Sequence, residues 1–153
     1  MRFVILHNIR SSHNVGAIFR SADGAGVAKI FLTGYTPAPL DRFGRPVGEI
    51  VKTSLGASMM VPWVQAVDIV SVISELKATG VTVVAIEQAE SSVSLFDFVP
   101  PENVAYIFGN EITGVTPDEL ALCDQIVEIP MLGEKESLNV SVTAGIVLFQ
   151  RPV

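Results

Sequence analysis

The sequence predicts an α/β fold in which helices cover both faces of a mainly parallel β-sheet. Short apolar segments alternate along the chain with segments of helical periodicity. The apolar segments are nearly continuous, which is typical of parallel strands that are buried on both sides. Because no repeat or linker interrupts the 153 residues, we expect a single domain over 1–153.

Five segments have the composition of buried strands, and they are 2–6, 30–32, 81–86, 104–108 and 126–129. The last segment of the chain, 139–150, is rich in β-branched residues, which favour a strand by propensity. It is long for a strand, however, and Ser137 and Asn139 are good helix caps. We therefore interpret it as a buried helix.

Helical periodicity begins at Asn14, where the apolar residues Val15, Ile18, Phe19 and Ala22 share one face. A second amphipathic helix is predicted over 66–79, with one apolar side formed by Val67, Val70, Ile73 and Leu76. A third helix should begin at 116–119, where Thr, Pro and Glu stand in the order of a capping box.

The segment 35–49 breaks these patterns with three prolines and two glycines. A loop of this length is usually either functional or disordered. It carries Arg42 and Arg45, so two interpretations remain open, a solvated surface loop and a flap that contacts RNA.

Charge is distributed unevenly along the chain. The formal net charge is −6, which argues against binding to phosphates. Residues 1–52 nevertheless hold seven basic and three acidic side chains, whereas 53–153 hold three basic and thirteen acidic ones. The single cysteine, Cys123, excludes a disulfide framework or a cysteine-based metal site within the chain and favours a cytoplasmic location. No apolar run reaches the roughly 20 residues of a membrane span, and we expect no metal.

Three predicted strand ends carry residues suited to ligand binding. Ile86 leads into Glu87, Phe108 into Gly109 and Glu111, and Ile129 into a turn that contains Gly133. Ligands of parallel sheets gather at the carboxyl ends of the strands. Ordinary strand-ending turns remain the alternative, and the sequence lacks the glycine-rich phosphate-binding signatures. Arg20 lies away from the apolar face of its helix, so it is either a solvated charge or a clamp for an anion. His7 and His13 have no evident carboxylate or metal partner in the sequence.

Three segments together resemble the motifs of the SpoU (TrmH) family of RNA ribose methyltransferases. The segment 8–20 is similar to the first motif, 107–115 to the second, and 129–133 with 137–142 to the third. The order and spacing of the motifs match, and the likeness extends through 52–57 and covers essentially the whole chain.

This resemblance implies a SPOUT α/β fold with a deep trefoil knot in its C-terminal part, and a homodimer with the active site near the interface. It also implies S-adenosylmethionine (AdoMet) as cofactor. By motif position, the cofactor residues would be Ile86, Gly109, Ile129, Ser137 and Leu138. The catalytic residues would be Asn14, Arg20, Glu111 and Asn139.

The expected reaction is methylation of a ribose 2′-hydroxyl of RNA, with tRNA the first choice and rRNA the second. Most of the catalysis would be positioning and stabilisation of the developing alkoxide. Larger relatives carry extra N- or C-terminal segments that help to bind RNA, whereas this sequence has 153 residues. We therefore expect a bare catalytic domain. Its RNA-binding candidates are Arg2, Arg10, Arg42 and Arg45. The alternatives are a SPOUT enzyme that methylates a nucleobase nitrogen, a non-catalytic AdoMet- or RNA-binding protein, and a flavodoxin-like nucleotide-binding module.

Overall fold

The computed structural model describes residues 1–150, so the last three residues of the expected domain, 151–153, lie outside the described part. Its strands are β1 (Arg2–His7), β2 (Lys29–Thr33), β3 (Trp63–Gln65), β4 (Thr82–Ile86), β5 (Val93–Ser94), β6 (Val104–Phe108) and β7 (Gln125–Glu128). Its helices are α1 (Ser12–Ala25), α2 (Gly48–Ser54), α3 (Ala57–Met60), α4 (Ile69–Ala78), α5 (Pro117–Leu120) and α6 (Val140–Phe149).

The seven strands form one sheet in the order β3-β2-β1-β6-β4-β7-β5, and every pairing is parallel. Helices α1, α2, α3 and α6 contribute to the apolar core on one face, while α4 covers the other face. All five residues of β6 are buried. The predicted α/β class with a mainly parallel, two-sided sheet is therefore confirmed.

The predicted elements are confirmed to within a few residues, with one exception. The helix expected over 66–79 begins only at Ile69, because 63–65 form β3 and Asp68 caps the helix by accepting a hydrogen bond from the backbone N–H of Ser71. Its predicted apolar face is confirmed for Ile73 and Leu76 and wrong for Val67 and Val70. Val67 is 97% exposed and Val70 is 49% exposed, while Ile69, Val72, Ile73 and Leu76 are buried.

Four short elements were not predicted, namely α2, α3, β3 and β5. Each has seven residues or fewer, too few for a periodic pattern to stand out. The loop expected over 35–49 is confirmed up to Val47, after which α2 begins at Gly48. The ambiguous last segment is confirmed as helix α6, which Asn139 caps.

The packing of α1 against α2 depends on one glycine. A Cβ atom at Gly16 would lie 1.8 Å from Thr53 Oγ1 and 2.7 Å from the carbonyl oxygen of Ile50. The two helices can therefore approach this closely only because residue 16 has no side chain. Among the described residues, no helix is long and apolar enough to cross a membrane.

Candidate active site

A cleft of about 280 Å³ opens at the carboxyl ends of three neighbouring strands, β6, β4 and β7. These are the three strand ends that carried the candidate ligand-binding residues in the sequence. The cleft is lined by all five predicted cofactor residues, Ile86, Gly109, Ile129, Ser137 and Leu138, and by Glu111. The fold therefore brings together residues that lie up to 52 positions apart.

The cleft is acidic. Its lining includes the carboxylates Glu87, Glu111, Glu128 and Glu136 and contains neither lysine nor arginine. One wall is the segment that follows β7, which is held across the cleft by a hydrogen bond of 2.6 Å from Gln88 Nε2 to the carbonyl oxygen of Glu136. An acidic lining favours a cationic ligand and disfavours a phosphate.

Gly109 is required by the packing of the protein itself. A Cβ atom at this position would lie 2.7 Å from the carbonyl carbon of Gly114 and 2.7 Å from Val115 Cγ2. The turn at 114–115 is in turn fixed by Glu87, whose Oε2 accepts a hydrogen bond of 3.2 Å from the backbone N–H of Val115. Gly109 therefore lines the cleft and also allows the close approach of the turn at 114–115.

Glu111 joins the second motif to the start of α1. Its carboxylate accepts hydrogen bonds from the backbone N–H groups of Arg10 (3.2 Å) and Ser11 (3.3 Å) and from Asn14 Nδ2 (3.4 Å). Burial raises the pKa of the Glu111 carboxyl, but these hydrogen bonds and one from its own backbone outweigh burial and hold the pKa below its ordinary value of 4.5. Glu111 is therefore an ionised anchor at neutral pH.

Asn139 extends this contact to α6. Its Nδ2 donates to Asn14 Oδ1 at 3.3 Å, and its Oδ1 accepts from the backbone N–H of Ser141 at 2.8 Å as the N-cap of the helix. Glu111, Asn14 and Asn139 thus form one hydrogen-bonded chain across all three motifs, next to the cleft. Three of the four predicted catalytic residues are together.

The fourth, Arg20, lies elsewhere. It is exposed in the second half of α1 and faces a separate, shallow surface. That surface, which we call the Arg20 face, is formed by His13, Ala17, Arg20, Ser21, Lys52, Thr53, Leu55, Ser141, Val142 and Phe149. Helices α1 and α6 contribute both to the hydrogen-bonded chain and to the Arg20 face. Asn14 and Asn139 lie at the N-terminal ends of these helices, and Arg20 and Phe149 lie farther along.

The predicted RNA-binding arginines are not equivalent. Arg10 is exposed in the loop that Glu111 holds, at the carboxyl edge of the sheet. Arg42 and Arg45 lie at the tip of the loop after β2, where Arg45 Nε is 2.9 Å from Asp41 Oδ2. Arg2 lies apart from the other three, because it begins β1 at the opposite edge of the sheet, and it donates to the carbonyl oxygens of Leu148 and Gln150 at 3.0 and 3.4 Å.

Two side chains at the carboxyl edge have partners that the sequence did not reveal. His7 is buried, and its Nε2 lies 3.0 Å from Glu119 Oε1, which corrects the expectation that it has no carboxylate partner. Asn110 Nδ2 donates to the carbonyl oxygen of Asn8 at 2.9 Å and to the hydroxyl of Tyr35 at 2.8 Å. All three contacts join residues more than 70 positions apart, and no local pattern signals them. Within 1–150, no group of three or more potential metal ligands is found.

Comparison with known proteins places these features in a family. Residues 1–149 match the sequence model of the SpoU rRNA Methylase family. A 23S rRNA (guanosine-2′-O-)-methyltransferase of Neisseria meningitidis serogroup B is 34% identical over 145 residues, which is 95% of this chain and 55% of the relative. The corresponding enzyme of Xanthomonas axonopodis pv. citri is 34% identical over 147 residues, with 96% and 56% covered. The chain thus spans little more than half the length of these curated relatives.

Solved structures give the same result. An AdoMet-bound rRNA methyltransferase from Sinorhizobium meliloti superposes with a TM-score of 0.85 at 31% identity, covering 97% of this chain and 54% of that one. A TrmH/SpoU tRNA modifying enzyme from A. aeolicus superposes with a TM-score of 0.83 at 27% identity, covering 97% and 72%.

Proposed function

This chain belongs to the SpoU rRNA methylase family, and from that premise we propose that it transfers the methyl group of AdoMet to a ribose 2′-hydroxyl of RNA. We propose rRNA as the acceptor. The order expected from the sequence, tRNA before rRNA, is reversed because the curated relatives at 34% identity are named for 23S rRNA.

One observation carries the proposal. The five residues that the family motifs assign to the cofactor line a single cleft, and that cleft is adjacent to the chain of Glu111, Asn14 and Asn139. The alternative of ordinary strand-ending turns does not explain why residues from all three motifs meet at one place.

The cleft has the chemistry expected of an AdoMet site. AdoMet carries a sulfonium and an ammonium group, and when bound it supplies an electrophilic methyl group. The four carboxylates of the lining favour such a cation, while Ile86, Ile129 and Leu138 offer apolar surface to an adenine ring. The same acidity disfavours the phosphates of a nucleotide, which weighs against a flavodoxin-like module.

The acceptor end would lie at the rim of the cleft. We infer that Glu111 and Asn139 position Asn14 there, since both are hydrogen-bonded to its amide. Arg20 would align an RNA phosphate and stabilise the developing alkoxide. A guanidinium group is a poor proton acceptor, so positioning and electrostatic stabilisation are the roles that its chemistry supports.

A homodimer would explain why Arg20 is separated from the other three residues. The Arg20 face includes the exposed apolar side chains of Leu55 (69%), Val142 (50%) and Phe149 (53%). We propose that a second copy covers this face, which would bring Arg20 close to the interface.

The trefoil knot is also a proposal, and contacts of the two segments concerned support it. Gln150 Nε2 donates to the carbonyl oxygen of Phe98 at 3.0 Å, and Gln88 to that of Glu136, so 129–150 and 87–103 contact each other at two places.

The direct test is methyl transfer in vitro. Protein, methyl-labelled AdoMet and either 23S rRNA or bulk tRNA are incubated, and the RNA is digested to nucleosides for mass spectrometry. We expect 2′-O-methylated nucleosides from rRNA. Label on a base nitrogen would support the nucleobase alternative. AdoMet binding by calorimetry without transfer to either RNA, or to RNA from cells that lack the gene, would support the non-catalytic alternative. The cytoplasmic location stays a prediction.

A further inference from the structure

An exposed aromatic ring at the tip of the loop after β2 is flanked by two guanidinium groups. Phe43 is 66% exposed, and the guanidinium carbons of Arg42 and Arg45 lie 4.7 and 4.9 Å from the centre of its ring. We propose that this tip stacks on an unpaired nucleobase of the acceptor RNA while its arginines contact the adjoining phosphates. The inference rests on the proposed RNA methyltransferase function, for which it names the form of the acceptor.

The tip, defined as 39–47, is held in one conformation by its own hydrogen bonds. Asp41 Oδ1 accepts from the backbone N–H groups of Phe43 and Arg45 at 2.8 and 3.0 Å. The backbone N–H of Asp41 donates to the carbonyl oxygen of Arg45 at 2.8 Å, and Gly44 adopts the left-handed φ of 75° that such a turn requires. Leu40 and Pro46 form an antiparallel bridge below it. The ring is therefore presented at little further cost in conformational entropy.

The base of the loop is attached to the candidate active site. The hydroxyl of Tyr35 accepts a hydrogen bond of 2.8 Å from Asn110 Nδ2, and Asn110 precedes the anchor Glu111. Ala38, between Tyr35 and the tip, is buried in the main apolar core. Since all strands are parallel, this loop leaves the sheet at the same edge as the cleft. An RNA held by the tip would thus pass the side of the protein where the methyl group is transferred.

The side chains of the tip fit a contact with a nucleobase and its phosphate better than they fit an ordinary solvated loop. An isolated exposed phenylalanine needs no explanation, but here two cations lie against its ring, and Asp41 fixes one of them. Aromatic and arginine side chains that are interleaved on an exposed loop stack on bases and neutralise the backbone between them. The face of a base is open to stacking, beside an accessible phosphate, only where the RNA is unpaired.

The acidity of the remaining surface strengthens this assignment. The cleft holds four carboxylates and would repel a phosphate backbone, so the acceptor needs an attachment point outside it. The tip lies within residues 1–52, the part of the chain with an excess of basic side chains. Stacking adds affinity that depends little on charge, which is useful to a chain with a net charge of −6.

The test measures binding of the full chain to a labelled single-stranded oligoribonucleotide with 2-aminopurine at one position, and to a duplex of the same sequence. Phe43→Ala should weaken single-strand binding on the order of 10-fold and abolish the quenching of 2-aminopurine, because stacking is lost. Phe43→Trp should retain both. Phe96→Ala is the matched control, since Phe96 is 76% exposed on another loop, and its affinity should equal that of the wild type.

Salt titration separates stacking from phosphate contact. Phe43→Ala should leave the slope of log affinity against log salt unchanged. Arg42→Gln should make this slope shallower, by the amount that corresponds to the loss of nearly one phosphate contact. The proposal would be overturned if wild type and Phe43→Ala bind RNA with equal affinity, or if Phe43→Ala and Phe96→Ala lose affinity equally. It would also be overturned if the single strand and the duplex bind equally well, or if neither RNA binds. A tip that serves a protein contact would give equal RNA affinities in all variants and also overturn it.

The proposed function fails or holds independently of this test. Calorimetric binding of AdoMet and methyl transfer by wild type, together with unchanged RNA binding by Phe43→Ala, would overturn the tip alone. Weakened RNA binding by Phe43→Ala in a chain that transfers no methyl group would leave the tip as an RNA contact and remove the enzymatic proposal.

Discussion

The cleft and the Arg20 face share helix α6, yet they have opposite charge. The cleft is lined by four carboxylates without a lysine or arginine, while the Arg20 face carries Arg20, Lys52 and His13 without a carboxylate. The difference matches the two substrates of the proposed reaction, because AdoMet carries a cationic centre and RNA is an anion. A net charge of −6 is therefore a poor guide to what one surface of the chain binds.

The two regions also differ in how they are fixed. Backbone turns and side-chain hydrogen bonds hold the cleft, for example at Gly109 and Glu111. The Arg20 face consists of exposed side chains on packed helices, including the apolar Leu55, Val142 and Phe149. We therefore expect changes in the cleft to alter cofactor affinity and stability together, and removal of the charge at Arg20 to alter turnover with little effect on either.

The largest effect is expected from Arg20→Ala. Loss of a group that stabilises the developing alkoxide should lower the rate of methyl transfer by about 100-fold or more, while the Kd for AdoMet stays within about 2-fold of wild type. Single-turnover kinetics and calorimetry measure the two quantities. Arg20→Lys, which keeps the charge but loses the planar fork, should be intermediate. A near wild-type rate for Arg20→Ala would remove Arg20 from the mechanism.

Gly109→Ala should produce the next largest effect, and it should do so through the cleft. The added Cβ would lie 2.7 Å from Gly114 and Val115, so the turns that shape the cleft must move apart. We expect the free energy of unfolding to fall by about 1–3 kcal/mol and AdoMet affinity to fall by about tenfold. Gly133→Ala is the control, since no atom lies within 4 Å of its Cβ. Equal behaviour of the two variants would contradict the close packing at 109.

Gly16→Ala tests the helix packing beneath the Arg20 face. Its Cβ would meet the carbonyl oxygen of Ile50 at 2.7 Å, but alanine also favours the helical conformation by roughly 1 kcal/mol, so part of the loss is offset. Chemical denaturation should show a loss of about 1–2 kcal/mol. Gly48→Ala, at the exposed start of α2, should be neutral or slightly stabilising. A stable Gly16→Ala protein would show that α1 and α2 can separate freely.

The smallest effect concerns acid stability. Because the pKa of the Glu111 carboxyl is lower in the folded protein than its ordinary value of 4.5, its contribution to stability is complete above that value and is lost as the pH falls below it. Denaturation of wild type and Glu111→Gln should differ most near neutral pH, and the difference should shrink toward acid. A difference that does not change between pH 7 and about pH 3 would mean that the ionised form is not favoured.

Much of the cleft could be predicted from the sequence, since its lining comes from strand ends and matched motifs. The segments around Ile86, Phe108 and Ile129 are apolar runs followed by turn residues, and such runs mark buried strands. The short strands β3 and β5 escaped prediction, because two or three residues carry no periodic signal and pair only when a neighbouring edge is offered. The apolar face predicted for helix α4 was right for Ile73 and Leu76 and wrong for Val67 and Val70. Val67 precedes the Asp68 cap and is not helical.

The sequence by itself determined the α/β class, the strand ends that line the cleft and the three motifs that place the chain in its family. Tertiary structure alone decided that Glu111, Asn14 and Asn139 are joined by hydrogen bonds and that Arg20 lies apart from them. It also decided that the turn at 114–115 leaves no space for a side chain at Gly109. The physical reason is range. Periodicity and capping are properties of neighbouring residues, whereas the contact of Glu111 with Arg10 joins residues 101 positions apart and exists only because β6 pairs directly with β1.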